Sequence, residues 1–556
     1  MTAQPWRLRR ECPPGASPWK ALAEAWSLDP RLARVAWLRG VDRPEDLGWR
    51  LEPDWSRSTD PHLLPGVDGA VTRIRQAVAD RERIVVYGDY DADGVSATAL
   101  LVRTLEKLGA EVSFFIPNRF SDGYGLHLEC IQELQATRAP SLLISVDCGV
   151  RSVEDVRASK ALGLDWVITD HHALGAELPP AVAVVHPQLE DYANPFLSGV
   201  GVAFKLAQAL LGAVPRPTGA DANFLDGMLK LVAIGSVADM VPLQGENALL
   251  VRRGLDAIRK GPNGLGLAAL VKASVKDGVL GAQDIAFRLG PRLNAVGRMG
   301  GAEDAVRLLL TRDPREAEAL MLRVEDLNRQ RRSIQKELSE RLPPPGDDSF
   351  DLVLDPTAHK GVIGIVAGQR MRLTGRPAGV CTVLDGVAQG SLRAPAGYDL
   401  TALLDRAQPF LLGGGGHRAA AGLSFEAARF PFVRQALQHG ATLQAEGQEP
   451  CPLLLDGGPG ELPAAADLAC LEPFGQGFPP ILAHLEGRLE AMTSFGAEHW
   501  RLRLAGVATS LIWWAHPDRP AQPSVGAWLQ VTAVPQHSER WGDSWQVDAL
   551  LGEALP

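Results

Sequence analysis

The chain has 556 residues, more than one compact core holds, since domains usually run to about 100–200 residues. With 46% hydrophobic and 22% charged residues the balance excludes a disordered, fibrous or membrane-embedded protein. The net charge of −10 excludes a surface coated in basic groups, but not a local basic groove for nucleic acid.

In chain order, the first 60 residues carry helical spacing (Leu22, Ala25, Trp26) and form a helical lead-in, and a second helical pattern (Val71, Ile74, Ala77) follows Pro61 and Pro65. From Ile84 short apolar runs alternate with amphipathic helices: Ile84 to Tyr87, Glu111 to Ile116, Leu142 to Val146, Trp166 to Ile168 and Ala181 to Val185. Strands alternating with helices predict a mainly parallel α/β sheet over 61–312. A long charged helix is predicted from Pro314 to Leu342, within a connecting segment 313–345, and stops at Pro343-Pro344-Pro345-Gly346. A second α/β unit over 346–435 contains the run Gly413 to Gly416 before His417. Beyond Pro450 the short runs Trp500 to Leu504, Ser510 to Trp514, Ala527 to Val534 and Ser544 to Leu550 read as strands, and a small OB-like β-barrel over 450–556 suits them. No apolar stretch reaches the ~20 residues of a membrane span, and the start has no apolar segment behind its positive charges, so a cytoplasmic protein is expected. The six cysteines include no Cys-x-x-Cys pair, which argues against a zinc ribbon or a disulfide framework.

Ligands in a parallel sheet gather at the carboxyl ends of strands. Here the run Gly88-Asp89-Tyr90-Asp91-Ala92-Asp93-Gly94 follows the first strand, Asp147 the third and Asp170-His171-His172 the fourth; Asp239 ends another apolar run. That many carboxylates in one crevice raise one another's pKa unless cations bind. Oxygen-rich ligation with an imidazole suits Mg²⁺ or Mn²⁺ over Zn²⁺. Two such ions about 3.5–4 Å apart serve in-line phosphoryl displacement, so phosphoester hydrolysis is the predicted chemistry. Asp89, Asp91, Asp93 and Gly94 also mimic the start of an EF-hand, but Leu100 stands where its bidentate glutamate belongs. An acidic turn without a ligand role is the bland reading of the first run taken alone, and either histidine is open to a second-sphere or substrate-contact role.

The set GDYDADG, SVDCG, DHH and GSVADMVPL, in that order, resembles motifs I to IV of the DHH phosphoesterase superfamily. The resemblance implies Asp91 and Asp93 as paired ligands with Asp89 beside them, Asp147 as the bridging ligand, His171 as the imidazole ligand and Asp239 as the last carboxylate. Asp170 and His172 fall behind them in support. Ile116 to Arg119, Gly199 to Lys205, Gly290 to Arg298, and Gly123-Tyr124-Gly125 are similar to the RecJ branch, a family of single-stranded-DNA-specific 5′→3′ exonucleases of repair and recombination. His359 to Ala367 and Gly413 to His417 look like the DHH-associated domain that grips substrate. The resemblance thus implies a DHH catalytic domain, a DHH-associated domain, two Mn²⁺ or Mg²⁺ ions, single-stranded DNA as substrate, and single-strand binding protein and a helicase as collaborators of a monomer.

Read by itself, the glycine run lets amides of Gly414, Gly415 and Gly416 approach a phosphate, with Ser391, Arg393 and His417 adding charge or hydrogen bonds. A tight turn is its plainer use. Arg119, Arg292, Asn294 and Arg298 are candidates for a terminal phosphate, although lone arginines often pair with nearby acids. Among Trp500, Trp513, Trp514, Trp528, Trp541 and Trp545 most are expected in the core, but Trp513 and Trp514 point to opposite faces of a strand, which leaves one free to stack on bases. The nearest rival function is a phosphodiesterase of short oligonucleotides or cyclic dinucleotides, and a more distant one is a scaffold that has lost its metal ligands.

Overall fold

The computed structural model describes residues 6–13, 15–120, 122–123, 125–212, 218–261, 264–275, 280–446, 453–496, 499–514, 522–538 and 542–554. Tyr124 and Trp541, singled out from the sequence, lie outside these.

The first α/β unit is built on strands β1 (Arg83–Tyr87), β2 (Glu111–Phe115), β3 (Leu142–Val146), β4 (Asp165–Thr169) and β5 (Ala183–Val185). All pair in parallel, in the order β2-β1-β3-β4-β5. Helices cover both faces, so β3 is buried at every residue and reads as an unbroken apolar run. Register then does the positioning: Tyr87 lies opposite Ser145, and Val146 opposite Thr169, so the acidic residues that follow leave one edge together.

Three helices close that edge: α1 (Ala92–Lys107), α2 (Gly199–Leu210) and α3 (Gly219–Ala238). All twelve residues of α2 are buried, including Lys205, whose ammonium pairs with Glu246 at 2.5 Å. A helix apolar on all sides belongs inside a large core, and its single cation is tolerated because it is paired. The apolar run before Asp239 is this third helix rather than a strand, and Asp239 caps its carboxyl end.

α4 (Gly290–Arg298) packs on α5 (Pro314–Arg341), the long charged helix, which begins with Pro314 behind the capping carboxylate of Asp313. Its last turn docks on α6 (Lys360–Thr374) through a small core of Leu338, Leu342, Val362 and Val366. The second sheet holds β6 (Asp351–Leu354), β7 (Ala378–Leu384), β8 (Val387–Arg393), β9 (Gly413–Gly416) and β10 (Ala420–Glu426) in the order β9-β10-β8-β7-β6. Only β6 and β7 are parallel.

β11 (Ala483–Phe495), β12 (His499–Leu504), β13 (Leu511–Trp513), β14 (Trp528–Ser538) and β15 (Gly542–Ala554) form a closed barrel ordered β11-β12-β13-β15-β14. Its core is shared with the amino-terminal helices: Leu22, Val35, Trp37 and Leu47 pack with Leu471, Phe478, Leu485 and Leu529. The strand Trp6–Leu8 pairs in parallel with Leu453–Leu455, and the fully buried Asp456 binds Arg9 and Arg39. The two ends of the chain thus build one unit. No described helix is long and apolar enough to cross a membrane.

Candidate active site

The first acidic run turns directly from β1 into α1. Asp91 caps that helix, its Oδ1 accepting from the Asp93 and Gly94 amides at 2.8 and 3.1 Å, while the Ala92 amide donates to Asn294 Oδ1 at 2.7 Å. Asp93 is buried, and its two oxygens accept from the Gly199 and Val200 amides at 2.7 and 2.9 Å, the amino end of α2. Asp147, just past β3, adopts a left-handed φ of +62°, a conformation that costs a non-glycine residue of order 1–3 kcal/mol. A Cβ on Gly199 would overlap the Asp147 carboxylate, so only glycine lets α2 approach so closely.

Seven ligand-type side chains meet here. Asp89, Asp91 and Asp147 bring one oxygen each within 4.8 Å of one another; Asp93, His171 and Asp239 form a second such group, and Asp147, His171 and His172 a third. His171 Nε2 lies 3.1 Å from Asp147 Oδ1, 3.7 Å from Asp239 and 3.9 Å from Asp93. The Leu197 carbonyl lies beside the His171 ring, and Nε2 is buried without a hydrogen-bond partner; with the proton on Nδ1, Nε2 offers a lone pair. That lone pair faces the oxygen lone pairs of Asp147 Oδ1. Asp147 Oδ1 and Asp89 Oδ1 are likewise buried without a hydrogen-bond partner. Three orphaned acceptors converging on one space fit divalent cations, with mixed oxygen and imidazole ligation suited to Mn²⁺ or Mg²⁺.

Electrostatics agree. Burial, then the charge of Asp91, pushes Asp93 up to about 7; burial, then Asp93 and Asp91, pushes Asp239 up to about 9; Asp89 and Asp147 rise well above the usual range for the same reasons. Burial, then His172, holds His171 down to about 3, so it is neutral, as a ligand must be. Behind it, Asp170 accepts from the His171 and His172 amides and pairs with His172 Nδ1 at 2.8 Å. Against its burial, that pair carries His172 to about 9 and Asp170 to about 2.

These shifts set the pH dependence of the metal-free protein. Asp93 and Asp239 titrate in the fold near 7 and 9, above the roughly 4 of an unfolded chain, so the fold retains protons that the unfolded chain has released. Their contribution to stability is therefore complete below about pH 4 and is lost as pH climbs through 7 to 9. In chelator, thermal melts are expected to show a lower melting temperature at pH 8.5 than at pH 6, with the gap closing on addition of Mn²⁺; a metal-free melting temperature that rises over this range would contradict the assignment.

Beside the carboxylates lies a cationic wall. Arg119 stands over the Tyr90 ring at 5.1 Å, and Arg298 donates to the Gly361 carbonyl at 3.1 Å across the interface of the two α/β domains. Arg393 Nη1 binds Ser391 Oγ at 3.1 Å. Burial, then Arg119, Arg393 and Arg331, lowers Arg298 to about 10, and burial, then Arg119, lowers both Arg393 and Lys360. Arginines this close together offer donors to an anion. Phe120 meets His359 edge-on at 5.4 Å on the same side.

Other sequence candidates are placed differently. Arg292 points away, paired with Glu325 at 2.5 Å and with the Arg288 and Ala273 carbonyls, and Asn294 braces the Asp91 turn rather than facing the wall. Gly414, Gly415 and Gly416 are not a turn but the exposed edge strand β9, and the following residues through Ala419 form a hairpin tip whose Ala419 carbonyl accepts from Ala394, beside Arg393. His417 is exposed on that tip. Trp500, Trp513 and Trp545 are buried, whereas Trp514 and Trp528 are 46% and 48% exposed. Sequence reasoning missed the Gly199 and Val200 amides, the Leu197 carbonyl, Lys360 and Arg331. Ser198 before two glycines was a legible helix cap; the others reach the site only through tertiary contacts.

A parallel sheet whose strand ends carry this carboxylate and imidazole set, joined by a long helix to a mixed sheet bearing arginines, defines a DHH-type phosphoesterase. Residues 83–236 match the model of the DHH family amino-terminal domain, and residues 350–440 match the DHHA1 domain. The chain is 37% identical over 524 residues to the single-stranded-DNA-specific exonuclease RecJ of Thermus thermophilus, covering 92% of this chain and 74% of that one. It is 39% identical over 442 residues to that of Bacillus subtilis, covering 78% of this chain but 54% of that longer relative. The crystal structure of the Thermus thermophilus RecJ in complex with Mn²⁺ superposes with a TM-score of 0.82 at 32% identity, covering 99% of this chain and 80% of that one. The chain belongs to the RecJ family.

Proposed function

We propose that this protein is a 5′→3′ exonuclease of single-stranded DNA, acting in repair and recombination, which uses two divalent cations. The observation that carries the reading is Asp147, whose carboxylate belongs to both the Asp89–Asp91 and the His171 ligand groups and so is placed to bridge two ions. When bound, such a pair supplies an activated water and charge neutralisation at the scissile phosphate. The chain's own residues do the rest. The amides of Gly199 and Val200 fix Asp93, the Leu197 carbonyl stands beside the His171 ring, and Asp170 orients His172 at the rim.

A cluster of cations beside the carboxylates supports action from a strand terminus. Arg119, Arg298, Arg393 and Ser391 lie near Phe120 and His359, and they would hold a 5′-terminal phosphate there. Incubation with Mn²⁺ is expected to degrade linear single-stranded DNA and spare both a circular single strand and a blunt duplex; cleavage of the circle would sink the exonuclease reading.

The barrel reads as an OB fold, and five strands closing in this order support it. On its outer groove, Trp514 meets His499 and Phe495 edge-on at 4.8 and 5.9 Å, and Arg501 lies 5.8 Å from the Phe495 ring centre. This aromatic and basic combination suits stacked bases. Trp514→Ala is expected to weaken binding of a long single strand about tenfold, base stacking contributing about 1–3 kcal/mol, with hydrolysis of a short oligonucleotide unchanged. Fluorescence anisotropy checks it, with Trp513→Ala, which opens the barrel core, as the contrasting case that loses stability instead.

A further inference from the structure

We infer that Asn247 is a positioning residue for the metal centre, an inference that rests on the two-cation reading above. Two backbone arms reach the carboxylates from the side opposite the sheet. The first, residues 194–200, presents the Leu197 carbonyl to His171 and the Gly199 and Val200 amides to Asp93. The second, residues 239–243, carries Asp239 and turns sharply through Met240, whose φ of +61° is left-handed. A carboxylate on such a turn is only as well placed as the turn itself.

The buried Asn247 joins these arms with one amide group. Its Nδ2 donates to the Phe196 carbonyl at 2.6 Å and to the Pro242 carbonyl at 3.1 Å, and its Oδ1 accepts from Asn194 Nδ2 at 2.9 Å. Both amide protons are used, one on each arm, and the Asn194 bond fixes which way the amide faces. Asn194 in turn accepts from the Phe196 amide at 3.3 Å, so the first arm closes on itself. No other side chain among the described residues bonds both arms. His171 and Asp239, ligands of the same group, are thereby held in register from one point. The Asp89, Asp91 and Asp147 group has no bond to Asn247. Asn247 therefore acts first on the ion that His171 and Asp239 would hold, and on the other only through the shared Asp147.

The test is calorimetric titration of the full-length protein with Mn²⁺, comparing wild type, Asn247→Leu and the milder Asn194→Ala, with kcat and KM measured at limiting and at saturating Mn²⁺. One of two binding events is expected to weaken about 10–100-fold in Asn247→Leu, the usual effect of removing a hydrogen bond that orients a metal ligand, and less in Asn194→Ala. kcat should fall at limiting Mn²⁺ and recover at saturation with KM for DNA unchanged. If Asn247→Leu does not fold, Asn194→Ala, which removes a half-buried side chain, carries the comparison. Variants that bind both ions like wild type and lose only melting temperature would overturn the inference while leaving the nuclease reading intact. A wild-type protein that binds no Mn²⁺ would overturn both.

Discussion

Asp147→Asn is expected to abolish nuclease activity while raising the melting temperature of the metal-free protein. The loss should be at least about 10³-fold in kcat, given that removing even one transition-state contact costs about 10²–10³. The gain has a separate cause. Asp147 is buried among Asp93, Asp91, Asp89 and Asp239, all of which hold its carboxyl well above the ordinary range, so a neutral amide relieves repulsion that the metal-free fold must bear. Asparagine tolerates the left-handed backbone at this position as aspartate does, so the exchange adds no strain there. Mn²⁺ should reverse the ranking: at about 100 times Kd a ligand adds about 2.7 kcal/mol to the wild type, and the variant lacks the shared oxygen. Thermal melts with and without Mn²⁺ check this. A variant less stable than wild type in chelator would show that Asp147 is not under charge stress.

Arg393→Ala should raise KM for a 5′-phosphorylated strand by about 10–100-fold, corresponding to the roughly 1.5–3 kcal/mol of a hydrogen bond to a charged group. It should change KM for the same strand with a 5′-hydroxyl little. The selectivity follows from the site: Arg393 donates to Ser391 and to the Leu392 carbonyl rather than to a carboxylate, and sits near Arg119 and Arg298. Arg292→Ala supplies the control, because that guanidinium is committed to Glu325 and should leave the phosphate preference unaltered. Equal losses on both strands would mean that Arg393 contacts an internal phosphate or acts through folding.

The carboxylate set was legible because strand periodicity and chemistry coincide. Each apolar run ends at the sheet edge; Asp147 and Asp170 follow their strands directly, and Asp89 follows after Gly88. The strands of the first sheet fall within a residue or two of the spans expected, as does the long helix that stops before the proline run, whereas β14 and β15 run past their expected ends and β11 was not among the expected strands. The alternation at Trp513 and Trp514 also reads through to opposite exposures. What could not be read were contacts between distant segments. Asn294 reaches Ala92 across 202 positions, and Asp456 reaches Arg39 across 417, so neither the brace on the acidic turn nor the joint terminal unit leaves a local pattern. The glycine run 413–416 departs from its plainer turn reading: pairing with β10 makes it a strand, with backbone hydrogen bonds overriding weak propensity. Arg292 and Arg298 look alike in sequence, and only the position of Glu325 separates a structural ion pair from a cation in the cleft.

The central claim is tested most directly by following a single-stranded oligonucleotide labelled at its 3′ end in Mn²⁺, beside the Asp147→Asn protein. The account predicts labelled fragments that shorten stepwise from the 5′ end with wild type and an intact strand with the variant. Immediate release of labelled mononucleotide, or an untouched strand under conditions that hydrolyse dinucleotides, would contradict it.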